Sequence, residues 1–268
     1  MKVDFRYREF IPEARRIVVK IGTRVIEQAS GCPDDGAIKR LVGQISALHH
    51  AGYEILVVSS GAVGAGVDAL KLESRPTEVP DLQMCAAIGQ ARLMAQYERL
   101  FMAEKITIGQ ILLTHDDFQH RIRFANAKRT MEHMLRRGVL PIINENDTVA
   151  DEEIKAGLSL GDNDYLAALL VRLVRADLLV LLSTVDGVLD EAGARVPYIE
   201  DLKDAYSLVN PQEAGGLSKG GMNSKLHAAE LAVKAGCGTV IADGRADHVL
   251  TDILSGKDAG TLILSSAV

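Results

Sequence analysis

Tryptophan is absent from this chain of 268 residues, aromatic residues make up only 4%, and there are just three cysteines. Cys32, Cys85 and Cys237 lie far apart and are odd in number, so neither a disulfide framework nor a C-x-x-C pair follows. A reduced, cytoplasmic setting is therefore expected. Long apolar runs are also missing. The longest, "LLVLL" at 178–182, is far too short to span a bilayer. The opening "MKVDFRYREF" has no apolar stretch of the signal-peptide kind. Basic residues are in deficit, 30 Lys and Arg against 36 Asp and Glu, for a net charge of −6. With that balance and so few rings, no nucleic-acid partner and no membrane-surface partner are expected, and any bound anion needs a local site. The seven histidines show no metal-ligand spacing, and no dedicated metal site is expected.

Apolar residues, at 47%, supply ample material for a core. Short runs rich in β-branched residues and leucine read as buried strands at 16–22, 54–60, 106–113, 139–144, 177–183 and 238–242, with a last one at 260–264. Helical spacing marks 34–52, 81–104, 123–138, 164–174 and 223–236. Alternation of this kind predicts an α/β fold whose mostly parallel sheet is covered on both faces. The whole of 1–268 reads as one domain, with a lobe boundary near 176 that divides about 1–175 from 176–268. There is no internal repeat. Ligands of such sheets bind beyond the carboxyl ends of strands, so the loops that follow strands are the places to search.

Five of those loops carry chemistry. Lys20 sits at the end of the apolar strand "RIVVKI", where its ammonium either escapes to solvent or serves a site. Gly22 and Thr23 follow it at a turn that can cradle an anion. "SSGAVGAG" places Gly61, Gly64 and Gly66 after a strand; this G-x-x-G-x-G is the reverse of the dinucleotide order and is either a tight turn or an anion loop with the Ser60 hydroxyl. "NENDTVADEE" sets Asn144, Asn146 and Asp147 at a strand end, as turn chemistry or as a pocket for an amine and a carboxylate, and the rest looks like a short flap. "GDND" opens a helix: Asp162 suits its N-cap, Asp164 suits its positive end, and D-x-D can also meet Mg²⁺. "GGLSKGGMNSKL" at 215–226 is not a Walker A. It still joins flexible backbone, lysine and a helix start, the parts of a phosphate site.

Taken together, "VVKIGTRVI", "SSGAVGAG", "GQARLMAQYERLF", "VLPIINENDTVA", "GDNDYLAALL" and "GGMNSKLHAAELA" resemble the amino acid kinase family, and within it the branch that phosphorylates glutamate. The resemblance runs from about residue 16 to 264 and implies a three-layer αβα sandwich. It implies that Lys20, Asp164 and Lys225 are catalytic, with both lysines on the transferring phosphoryl group and Asp164 between them. It places Ser60, Gly61, Ala62, Asn144, Asp147 and Asn163 around the acceptor amino acid. ATP falls to Lys20, Gly22, Thr23, Ser183, Thr184 and the run Lys219, Gly220, Gly221, Met222, Asn223, Ser224 and Lys225. Mg²⁺ would be held mainly by ATP phosphates and water. Family members commonly form homo-oligomers and take proline as a feedback inhibitor, and both are expected here. Some carry a C-terminal PUA domain, and this chain is expected to be a form lacking it.

Three departures from the family pattern stand out. Ser183-Thr184 replaces a usual Thr-Asp or Ser-Asp, with Asp186 near enough to substitute; Ser218 replaces a glycine; and "EEIKAGLSLGDND" is longer than in many members. The implied reaction is phosphorylation of the glutamate γ-carboxylate, which is ionised at neutral pH and needs no general base. Two other readings stay open: a kinase for another small acid on the same fold, and a non-catalytic sensor of ATP or an amino acid.

Overall fold

The computed structural model describes residues 8–28, 31, 33–150, 163–208 and 221–264. After a 3₁₀ turn at Ile11–Glu13 the chain runs β1 (Arg16–Ile21), α1 (Thr23–Ile26), α2 (Asp35–His50), β2 (Glu54–Val58), α3 (Ala62–Leu70), α4 (Val79–Ala103) and β3 (Ile108–Leu113). Next come α5 (His115–Gln119), α6 (Arg121–Arg136), β4 (Leu140–Glu145), α7 (Asn163–Val174) and β5 (Leu178–Ser183). Then follow β6 (Tyr198–Ile199), α8 (Leu202–Leu208), α9 (Met222–Lys234), β7 (Gly238–Asp243), α10 (Val249–Leu254) and β8 (Thr261–Ile263). Among the described residues the strands form one sheet in the order β3-β4-β2-β1-β5-β7-β8-β6. Every neighbouring pair is parallel except β7 and β8.

The period of two along β1 builds the layers. Ile17, Val19 and Ile21 join one core with α2, α4 and α10, through Ile38, Leu41, Leu93, Phe101 and Leu250. Val18 joins the other core with α7 and α9, through Leu166, Leu170, Leu226 and Ala229. The result is a three-layer αβα sandwich. Lys20 shares Val18's side of the strand, toward α7 and α9, and pairs in register with Val58 of β2 and Leu181 of β5. A charge on a buried face at a strand's carboxyl end is therefore aimed at two helix starts.

The lower edge is clamped by polar contacts. Arg16 pairs with Glu54 at 2.7 Å and with Glu132 at 2.7 Å, while Asp177 accepts the backbone N–H groups of Arg15 and Arg16. No described helix is long and apolar enough to cross a membrane.

The stretch "GAVGAG" differs from its expectation as a loop, because Ala62–Leu70 is a helix. Glycine is a poor helix former, but Gly66 in this stretch and Gly89 of α4 are contact surfaces. A Cβ on Gly66 would lie 1.9 Å from the Cys85 carbonyl oxygen, and one on Gly89 would lie 1.8 Å from that of Ala62. Thus α3 and α4 meet backbone to backbone. Only residues without a side chain allow that approach.

Candidate active site

Asp164, in the first turn of α7, is fully buried, and Lys20 and Lys225 are nearly so, at 5% and 3% exposure. Lys20 Nζ lies 2.7 Å from Asp164 Oδ1, and Lys225 Nζ lies 3.1 Å from Oδ2. Ser224 Oγ donates to Oδ2 at 3.2 Å. Burial pushes the Asp164 carboxyl upward, but the charges and hydrogen bonds of the two lysines win and hold it below the usual carboxylate range. The carboxylate in turn lets two ammonium groups share one dry site, which their repulsion would otherwise prevent. Three elements meet here, the ends of β1, α7 and α9, and the surplus charge is positive.

Beside this set opens a polar cleft, lined in part by Asn163, the chain neighbour of Asp164. All six residues expected around the acceptor, Ser60, Gly61, Ala62, Asn144, Asp147 and Asn163, line it. Gly61 takes φ +97°, a left-handed turn suited to glycine, and caps α3 without any side-chain bond. The N–H groups of α3's first turn therefore face the cleft. Asn163 is 5% exposed and its amide nitrogen is shared among Ser59 O, Ser60 Oγ and Asn144 Oδ1, at 3.2, 3.1 and 3.1 Å. Those bonds fix the amide, and Asn163 Oδ1 is left buried without a hydrogen-bond partner. A buried acceptor of this kind wants a donor, such as an ammonium group. Asn144 is more brace than ligand. It donates to Gln90 Oε1 at 2.8 Å, and its own Oδ1 accepts from Glu145 N and Asn163.

Of the residues expected at the nucleotide, Gly22 already gives its N–H to Leu182 O at 3.1 Å, and a Cβ there would lie 2.9 Å from that oxygen. Thr23, also expected there, lies instead on the wall of the cleft beside Ser60 and Asn163. Ser183 ends β5 opposite Asp243 of β7. Thr184 O accepts from Arg245 Nη2 at 2.6 Å, and Arg245 also grips both Asp243 oxygens at 2.9 Å. Gly221 caps α9, whose first turn holds Met222, Asn223, Ser224 and Lys225. Lys219, Gly220, Asp162, Ser218 and the expected flap lie outside the described residues.

Sequence reading did not single out Gln90, Arg75 or Arg245. Gln90 and Arg245 act through partners 54 and 61 residues away, a pairing that no local pattern announces. Arg75 lines the cleft from the "SRPTE" turn between α3 and α4, and a lone cation in a polar turn carries no special signal.

A buried lysine–carboxylate–lysine set over the strand ends of an αβα sandwich, next to a cleft that offers helix N–H groups and an unpaired amide oxygen, is built to bring two anions together. The chain belongs to the amino acid kinase family, whose model matches residues 15–243. Among individual proteins it is 43% identical over 253 residues to the glutamate 5-kinase of Acinetobacter baylyi, covering 92% of this chain and 66% of that one. It is 39% identical over 270 residues to the glutamate 5-kinase of Clostridium tetani, covering 97% and 98%. The chain thus spans about two thirds of the Acinetobacter relative and nearly all of the clostridial one. Among solved structures, Giardia carbamate kinase superposes with a TM-score of 0.66 at 19% identity, over 94% of this chain and 99% of that one. That likeness shows the same fold.

Proposed function

We propose that this protein transfers the terminal phosphoryl group of ATP to the γ-carboxylate of L-glutamate, forming L-glutamyl 5-phosphate, the first step of proline biosynthesis. The observation that carries the reading is the buried Lys20–Asp164–Lys225 set, whose Asp164 adjoins Asn163 of the acceptor cleft. Support comes from two relatives named glutamate 5-kinase, at 43% and 39% identity.

The acceptor carboxylate, with a reference pKa of about 4.3, is ionised and already nucleophilic. What opposes the reaction is the meeting of a carboxylate with a polyphosphate. Lys20 and Lys225 offset that repulsion and stabilise the charge on the phosphoryl oxygens, while Asp164 fixes where the two ammonium groups point. Asn163 Oδ1 and Asp147 take the substrate ammonium, and Ser60 with the N–H groups of Gly61 and Ala62 takes a carboxylate. The nucleotide falls to Gly22, Thr23, Ser183, Thr184 and the run from Lys219 to Lys225. On this reading about 1–175 is the amino-acid lobe and 176–268 the ATP lobe.

Both Asp164 oxygens are engaged by ammonium groups, so this carboxylate does not offer itself to Mg²⁺. The ion enters only as the counter-ion of ATP. The same reading carries a cytoplasmic location, a homo-oligomer and feedback inhibition by proline.

The test is ATP- and Mg²⁺-dependent formation of γ-glutamyl hydroxamate from L-glutamate and hydroxylamine, with N-acetylglutamate and aspartate as controls. Product from glutamate alone is expected. ATP binding without product from any acceptor would turn the reading to a sensor.

A further inference from the structure

Among the described residues, Arg75 is the only cationic side chain lining the acceptor cleft, and the other polar side chains there are Thr23, Ser60, Asn144, Asp147 and Asn163. Lys20, the nearest functional cation in sequence, has its ammonium on Asp164 instead. Arg75 itself is exposed and makes no ion pair or side-chain hydrogen bond among the described residues. Its guanidinium acts at a distance, on Glu27, a carboxyl packed against Gly64, and on the Cys85 thiol. An arginine that borders the cleft with no described partner for its five donors is a fork without an anion.

The rest of the cleft says which anion is left over. An acidic amino acid brings three charged groups. Its ammonium has Asp147 and the buried, unpaired Asn163 Oδ1. Its reacting carboxylate must face the lysines on Asp164, which adjoins Asn163 in the chain. The second carboxylate is left for the α3 side of the cleft, where Ala62, Val63 and Gly64 open a nine-residue helix with no side-chain cap. A helix start and an arginine lining the same cleft make a site for one carboxylate.

Resting on the glutamate-kinase reading, we propose that Arg75 is a specificity determinant that receives the carboxylate that is not phosphorylated. It thereby favours acceptors that bear a second anion beside the amine.

The experiment is steady-state hydroxamate kinetics on wild type, Arg75→Gln and Arg75→Lys, with L-glutamate and with glutamate 1-amide, whose α-carboxylate is masked. For Arg75→Gln the glutamate KM should rise roughly ten- to hundredfold, with kcat and the ATP KM held within about twofold, the pattern of a lost ground-state contact. Arg75→Lys should recover part of the loss, since it keeps the charge but not the fork. On the masked amide, Arg75→Gln should match wild type within about twofold. A structural role would instead harm both acceptors alike, and equal losses would overturn the proposal. So would an unchanged glutamate KM in Arg75→Gln. Wild type that makes no product from glutamate sinks the kinase reading and this one with it; normal wild type beside an unaltered Arg75→Gln sinks only the role of Arg75.

Discussion

At Asp164 a single carboxylate serves two lysines, and the consequences of losing it can be separated. Asp164→Asn keeps the shape but leaves two buried ammonium groups facing each other. Turnover should fall at least about 100-fold, and stability by about 3 kcal/mol, as is usual when one partner of a buried pair is removed. Thermal unfolding beside kcat measurement checks both; near-normal kcat would remove Asp164 from the mechanism. Because its folded pKa is depressed, the stability it lends is present above the ordinary carboxylate value and is lost as the pH falls through the lower one. Glu27 behaves in the opposite sense. Burial raises its carboxyl to about 7, against the pull of Arg75 and Arg24, and its Oε1 has no hydrogen-bond partner among the described residues. The folded protein there keeps a proton that the unfolded chain has lost, so stability falls as pH rises from 4.5 to about 7 and is flat above. Glu27→Gln should stabilise by roughly 1–2 kcal/mol at pH 8, a figure reduced for its partial solvent access, and by nothing at pH 4. Urea titrations at the two pH values decide it. A gain at pH 4 as large as that at pH 8 would contradict the titration account.

At the scale of elements, the contact between α3 and α4 sets the proposed acceptor cleft, because α3's first turn lines it. Gly66→Ala and Gly89→Ala each drive a methyl into a facing carbonyl oxygen. No flexible side chain is there to give way, since both obstacles are backbone. Each should cost at least about 2 kcal/mol and raise the KM of the acceptor more than that of ATP. Denaturant unfolding and a KM comparison test the pair; mutants as stable as wild type would mean the helices can part without loss. The same contact explains why α3 was hard to read. Its glycines look like a loop when propensity is the guide, and only the partner helix gives them a reason. The strands, by contrast, were legible, because a run such as "LLVLLS" can satisfy its apolar surface only in a sheet covered on both faces.

Across the whole molecule, the far edge of the sheet is held by a residue near the start of the chain. Arg8, 4% exposed, donates to the carbonyls of Pro197, Lys257, Ala259 and Gly260 at 2.8–3.2 Å and lies 3.5 Å from Asp258. Four acceptors on two segments are joined by one fork. Arg8→Ala should lower Tm by roughly 6–10 °C, and Arg8→Lys should recover little of it, because a single ammonium cannot span the same carbonyls. Calorimetry gives the answer. A full rescue by lysine would show that charge alone, not the fork, holds the edge.

Local chemistry in the chain was enough for much of this protein. Alternation in "RIVVKI" set Lys20 apart from its apolar neighbours, and the order of the motifs pointed to six acceptor residues that line one cleft. Those features depend on spacing along a single strand or turn, where period and residue type carry the information. Other features depend on atoms far apart in the chain. Asn163's amide is oriented by Ser59, Ser60 and Asn144, the Gly22 N–H is consumed by Leu182, and Arg75 gains meaning only from the cleft it borders. Hydrogen bonds are directional and each donor or acceptor has few to spend, so which polar groups remain free for a substrate is settled only when the folded neighbours have taken theirs.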